Sequence, residues 1–199
     1  MSKLIRIGFD FDGVIAYNPF RIVRAPVSYI KRNVIGKKKL SFYYPKSPIQ
    51  KYIWTMLHNS SVIPAKGIGL FKDLVEKKHI EAHLITGRYS FLDNHLETWL
   101  AKYGLKSYFK TINLNKKDEQ PHQFKHRMIR HYNLDYFIED NLDIVEYLSS
   151  QFNSAATGHK SKDRTKIYWI YNILDMNHPH ALKHPYLGKV LEEIVEKNF

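Results

Sequence analysis

The sequence predicts an α/β protein, a three-layer Rossmann-like parallel sheet with a small helical cap inserted after its first strand. Three features carry that expectation. Residues 65–199 alternate short apolar runs with segments of helical spacing, the pattern of a parallel sheet covered on both faces. The chain opens on a short, partly β-branched apolar run, residues 4–9, which reads as a buried strand. Residues 17–64 break the alternation: they are rich in Lys, Arg, Tyr and Pro and hold no clear strand. The core is therefore expected in residues 1–16 and 65–199, and the insertion in 17–64.

Each element follows from its own pattern. The first strand ends on Asp10 and Asp12, and Gly13 permits an abrupt turn after them. In the insertion, 27–30 and 49–57 have helical spacing. Tyr29, Ile53 and Trp54 are expected in a minicore of that insertion, and Tyr43 and Tyr44 against a ligand. Beyond it come a helix over 68–77, a strand over 81–85 ending in Thr86-Gly87-Arg88, and a helix over 90–103 stopped by Gly104. A short strand at 110–114 leads past Pro121 into a basic helix, 123–131. A strand at 136–138 runs into Glu139-Asp140-Asn141-Leu142-Asp143, followed by a helix over 144–150. A polar loop, 154–166, separates this from the last strand, 167–171, and the last helix, 187–197.

Composition narrows the function classes. A chain of 199 residues with 44% apolar content is long enough for a real core. With no cysteine there is no disulfide scaffold, thiol catalysis or Cys-type zinc site, which fits a reducing cytoplasm. No run has the length of a membrane span, and the apolar N-terminal stretch carries Arg6 and two Asp, unlike a signal peptide. A cytoplasmic protein with no membrane partner is expected. The net charge of +12 would draw nucleic acid or small phosphate esters, or serve solubility alone.

The strand ends carry the chemistry. Carboxylates at the carboxyl end of a buried parallel strand are costly to desolvate and stand where open α/β sheets bind ligands. An Asp-x-Asp-Gly turn can also be merely solvated, so its neighbours decide. Thr86 closes the second strand with a hydroxyl; Glu139, Asp140 and Asp143 follow a later one; Lys125 lies on the helix before it. An all-oxygen donor set suits a hard cation, octahedral Mg²⁺ above all. A carboxylate there can attack a phosphoryl group, with a lysine and a hydroxyl compensating the charge on its oxygens.

These motifs, in this order and each at the end of its element, resemble the haloacid dehalogenase-like (HAD) superfamily over roughly three quarters of the chain. The resemblance implies that Asp10 is the nucleophile and a Mg²⁺ ligand. Asp12 would be the general acid/base, with its carbonyl on the metal. Thr86 and Lys125 would hold the transferring phosphoryl group. Asp140 would bind Mg²⁺ directly, with Glu139 and Asp143 holding it through water or hydrogen bonds. Retention of Asp12 points to a phosphatase. The placement of the insertion resembles the branch with a small helical cap, and the Thr-Gly-Arg and Glu-Asp-x-x-Asp spacings look most like the 5′-nucleotidase/deoxyribonucleotidase-like group. A small phosphorylated substrate, a nucleoside monophosphate, is the implied partner, with Gly87, Arg88, Tyr43 and Tyr44 as substrate-binding residues.

Several alternatives stand beside this reading. Lys116 or Lys117 could take the place of Lys125. Arg88 could contact a leaving group or anchor the turn after its strand. His178, His180 and His184 are close enough in sequence for a transition metal, though such Pro-rich loops are usually solvated. Gly67-Ile68-Gly69 lacks the third glycine and the preceding strand of a dinucleotide fingerprint. The competing functions are a phosphatase for nucleic-acid ends, a mutase, and a catalytically silent binding protein on the same core.

Overall fold

The computed structural model describes residues 4–17, 40–59, 61–153, 165–172 and 175–199. The first strand, β1 (Ile5–Phe9), lies inside a six-stranded sheet. A two-residue strand, β2 (Ala16–Tyr17), pairs antiparallel with β3 (Ile63–Pro64), so the chain leaves and re-enters the core at one place. Between them the structure shows helix α1 (Pro48–Asn59), matching the helix expected at 49–57. The expected helix at 27–30 lies outside the described residues. No apolar side chain of α1 joins either core cluster. The expected minicore is not formed around Ile53, which is 51% exposed, while Trp54 is half-buried.

The alternation then runs as expected, with boundaries adjusted. The chain forms α2 (Ile68–Glu76), β4 (Ile80–Tyr89), a 3₁₀ turn at Ser90–Leu92, α3 (Asp93–Lys102) and β5 (Thr111–Asn115). It continues through α4 (Pro121–Tyr132), β6 (Tyr136–Glu139), α5 (Leu142–Asn153), β7 (Lys166–Ile170), β8 (Lys183–His184) and α6 (Leu187–Asn198). The sheet order is β5-β4-β1-β6-β7-β8, and every pairing in it is parallel.

Two differences matter. Thr86-Gly87-Arg88 lies within β4, where the pairing to β5 shifts register between Thr86 and Tyr89, and not in a turn after the strand. Such a bulge re-aims side chains at a strand's functional end. The segment expected to be a loop around His184 supplies the edge strand β8.

The strands are apolar because both faces are covered. Ile5, Ile7 and Phe9 pack with Phe71, Leu74, Trp99, Leu191 and Ile194, so α2, α3 and α6 cover one face. Phe137, Ile167 and Trp169 pack with Phe124, Ile129, Val145 and Leu148 of α4 and α5 on the other. No helix of the described residues is long and apolar enough to cross a membrane.

Candidate active site

Parallel pairing gathers the chemistry at one edge. Phe9 is level with Leu84 on one side and Ile138 on the other, so Asp10, Thr86 and Glu139 emerge from three adjacent strands at their carboxyl ends. The Asp10 N–H donates to the Ile138 carbonyl (3.0 Å), extending the ladder to the carboxylate itself. Gly13, at φ 79°, then turns the chain back in a left-handed conformation that glycine adopts without strain.

Lys125 joins two of these acids. Its Nζ lies 3.0 Å from Asp10 Oδ1 and donates to Glu139 Oε2 at 2.7 Å. The helix begins at Pro121, its first position, so Lys125 lies on its second turn. That helix is set close to β4: a Cβ on Gly87 would stand 2.7 Å from Pro121 Cβ. Gly87 thus lets α4 bring Lys125 to the strand ends. The lysine is 2% exposed and is no part of a solvated basic run. Neither Lys116 nor Lys117 is among the cations paired with Asp10 or Glu139.

Asp10, Glu139 and Asp140 each offer an oxygen within 4.8 Å of the others, and this is the one such group among the described residues. Glu139 is fixed from both sides, with Oε1 accepting the N–H groups of Asp140 (3.2 Å) and Asn141 (3.1 Å). The Asp140 carbonyl accepts from the Trp169 indole N–H (3.1 Å). Asp143 is not in the group; it lies in the first turn of α5, where its N–H donates to Asn141 Oδ1 (3.0 Å).

Electrostatics follow from this crowding. Burial raises the Asp10 carboxyl to about 6, with Asp140 and Asp12 adding to the rise and Lys125 opposing it. Burial and Asp10 likewise push Glu139 upward. For Lys125, burial favours the neutral form, but Asp10 and Glu139 outweigh it and hold the ammonium protonated. Three neighbouring carboxylates, two of them paired with one ammonium, form an all-oxygen donor set suited to a small hard dication.

Asp12, Arg88 and Thr86 form a second group beside this cluster. Arg88, 3% exposed, grips Asp12 side-on: Nε donates to Oδ2 at 2.8 Å and Nη2 to Oδ1 at 2.6 Å. Ser61 Oγ donates to the same Oδ1 at 2.6 Å. Burial opposes ionisation of Asp12, but the Arg88 guanidinium outweighs it and holds the carboxyl far below its ordinary range. In this arrangement Arg88 is bonded to Asp12 and does more than close a turn. Thr86 is 1% exposed and its Oγ1 accepts the Arg88 N–H at 3.3 Å.

Tyr43 and Tyr44 also part company. The Tyr44 hydroxyl donates to Asp118 Oδ2 (3.1 Å), and its ring packs edge-on against Tyr89, so it braces this segment against the core. Asp118 further accepts from the Ser90 N–H at 2.7 Å. Phe42 adds a second brace, its N–H donating to Gln120 Oε1 at 2.7 Å. Tyr43 keeps a 56% exposed ring near Trp54. His178, His180 and His184 are engaged separately, with Glu146, the Ile167 carbonyl and Glu193, and form no metal cluster among the described residues.

Ser61, His58 and His95 surround Asp12 and Arg88 without any local sequence signal. Asn59-Ser60-Ser61 has the form of a glycosylation sequon and reads as loop chemistry.

Neither protein-family models nor curated proteins give a match to the sequence. Solved structures do resemble the fold. A HAD hydrolase, YfnB, from Bacillus subtilis, solved with bound magnesium, superposes with a TM-score of 0.60 at 10% identity, over 97% of this chain and 99% of that one. A β-phosphoglucomutase from Clostridium difficile gives 0.58 at 14% identity, over 98% and 97%. CbbY from Rhodobacter sphaeroides, in complex with phosphate, gives 0.57 at 11% identity, over 94% and 96%. The chain has the haloacid dehalogenase-like fold. Its acidic cluster therefore lies at the carboxyl edge of a HAD-like sheet, where this architecture places ligands.

Proposed function

We propose that this chain is a cytoplasmic, Mg²⁺-dependent phosphomonoesterase of the HAD superfamily. It would act through an aspartyl-phosphate on a small phosphorylated metabolite, a nucleoside monophosphate foremost. The observation that carries this reading is the Asp10–Lys125–Glu139–Asp140 cluster, buried but for the half-buried Asp140, at the carboxyl edge of the sheet. Asp10 and Asp140 would hold the ion, with Glu139 and Asp143 supporting them and the Asp12 carbonyl adding a ligand. When bound, Mg²⁺ supplies charge compensation for the phosphoryl oxygens.

An Asp10 carboxylate oxygen attacks phosphorus, and the ester P–O bond breaks with its electron pair on the departing oxygen. That oxygen would take a proton from Asp12, which the Arg88 grip holds ionised in the arrangement described, so the grip must loosen as the proton is carried. A water molecule then attacks phosphorus, returns a proton to Asp12, releases phosphate and restores Asp10. Lys125 keeps the nucleophile ionised and, with the Thr86 hydroxyl, faces the transferring group. Residues 17–64 would form the cap, and the exposed Tyr43 ring would offer a base a stacking surface. The +12 charge favours a second reading, a phosphatase for nucleic-acid ends, whose oligonucleotide binding would fall steeply with salt.

The test is phosphate release from p-nitrophenyl phosphate and a nucleotide panel, with and without Mg²⁺, in wild type and Asp10→Asn. Release that needs Mg²⁺ and is lost in the variant supports the proposal. Release that survives Asp10→Asn, or no release from any substrate, overturns it.

A further inference from the structure

The strongest feature left over is the set of contacts converging on Arg88. Besides gripping Asp12, Nη2 donates to the His58 carbonyl (3.0 Å) and Nη1 to His95 Nδ1 (2.9 Å). Arg has only donors, so that His95 nitrogen is the acceptor. The guanidinium carbon lies 4.6 Å from the centroid of the Phe11 ring, itself fully buried between the two aspartates in sequence. Four N–H contacts and a ring face fix this planar group almost completely.

These partners come from different parts of the chain. His58 is in the last turn of α1, inside the segment between the two ends joined at β2 and β3; Ser61 follows it, and His95 is on α3. His58 is buried, and its Nδ1 is 2.9 Å from the Trp54 carbonyl, which holds the imidazole against its own helix. Asp12 therefore has no orientation of its own: Arg88 and Ser61 set it, and both are bonded to, or continuous with, the end of α1.

We propose that Arg88 and Ser61 are positioning residues that join the carboxyl end of α1 to the Asp12 carboxylate, so that the inserted segment sets where that carboxylate stands. The catalytic half of this inference rests on the phosphatase reading; the joint itself does not. Arg88 is accordingly no substrate ligand in this arrangement, and its five-donor plane matters more than its charge. Lysine, a single point of charge, cannot hold Asp12, His58 and His95 together.

Two measurements test this. The first is hydrogen–deuterium exchange on the full chain, which requires no activity. In Asp12→Asn and in Ser61→Ala, the amides of the last turn of α1 should exchange roughly fivefold to tenfold faster than in wild type. Asp10→Asn, which removes a neighbouring carboxylate outside the joint, should leave them unchanged. Unaltered exchange in both Asp12→Asn and Ser61→Ala overturns the joint. The second applies once phosphatase activity is measured. Ser61→Ala and Arg88→Lys should lower kcat about tenfold or more on alkyl phosphates, whose departing oxygen needs a proton. Both should act far less on dinitrophenyl phosphate, whose leaving group does not, with KM within about twofold. Ser61→Thr, which keeps the hydroxyl, should restore alkyl-phosphate turnover. Equal losses on both substrates would reduce Arg88 and Ser61 to structural supports. A wild type without phosphatase activity would overturn the catalytic half, while exchange still decides the joint.

Discussion

Replacing Lys125 by methionine isolates what holds the acidic cluster together. Methionine keeps the length and apolar stem of lysine and removes its charge, so packing is nearly conserved. The ammonium stands 3.0 Å from Asp10 and 2.7 Å from Glu139, both buried. At an effective dielectric of about 20 each contact carries roughly 5–6 kcal/mol of Coulomb energy, most of it offset by desolvation of three charges. Removing one partner leaves the desolvation in place, and for a buried pair that costs ~3–5 kcal/mol. With an m-value of about 3 kcal/mol/M for a chain of this size, the urea midpoint should fall by about 1–2 M at pH 7.5 in EDTA. Adding Glu139→Gln removes one stranded charge but leaves an acceptor for the Asp140 and Asn141 N–H groups. The double variant should recover about half of the loss. A single-variant loss below about 1 kcal/mol, or a double variant destabilised by the sum of both single losses, would refute this account.

Three further outcomes follow from the geometry. Gly87→Ala puts a Cβ 2.7 Å from Pro121, nearly 1 Å inside ordinary contact; α4 must retreat, costing about 1–3 kcal/mol in urea unfolding, and Lys125 with it, lowering kcat more than it raises KM. Millimolar Mg²⁺ should raise the melting temperature of wild type, by about 2.7 kcal/mol of stabilisation at a hundredfold excess over its dissociation constant, and should leave Asp140→Asn almost unmoved in differential scanning calorimetry. Glu193 is a pH test away from the site. Its burial opposes ionisation, but hydrogen bonds from Lys197, His184 and Tyr168 outweigh that and lower its pKa from 4.5 to about 2. A depressed carboxylate stabilises the fold above its unfolded pKa and loses that contribution as pH falls from about 4.5 towards 2. Glu193→Gln should therefore lose on the order of 1 kcal/mol at pH 6 and approach wild type only as pH falls to about 2, read from urea midpoints across that range.

The fold was legible because the buried strands are short, largely apolar runs that alternate with helices covering both faces of the sheet. Ile7, Phe9 and Ile138 meet one layer of helices, Phe137 and Trp169 the other. β8 was not legible: two residues, Lys183 and His184, at an edge carry no pattern. The acidic cluster was legible because its members stand at strand ends, which sequence order alone locates. The surroundings of Asp12 were not, since Ser61 and Arg88 lie 49 and 76 residues away, the first reaching it through the path of the inserted segment and the second through the irregular end of β4. Tyr43 and Tyr44 show the same limit. They are adjacent, yet one ring is braced on Tyr89 while the other stays exposed.

The claim that Asp10 is a nucleophile is tested most directly by trapping. Wild type turning over a ³²P-labelled ester with Mg²⁺ would be quenched in acid, digested and mapped. The account predicts a hydroxylamine-labile phosphoryl label on the peptide containing Asp10, absent from Asp10→Asn. Turnover with no label on that peptide, or a label that persists in Asp10→Asn, would contradict it.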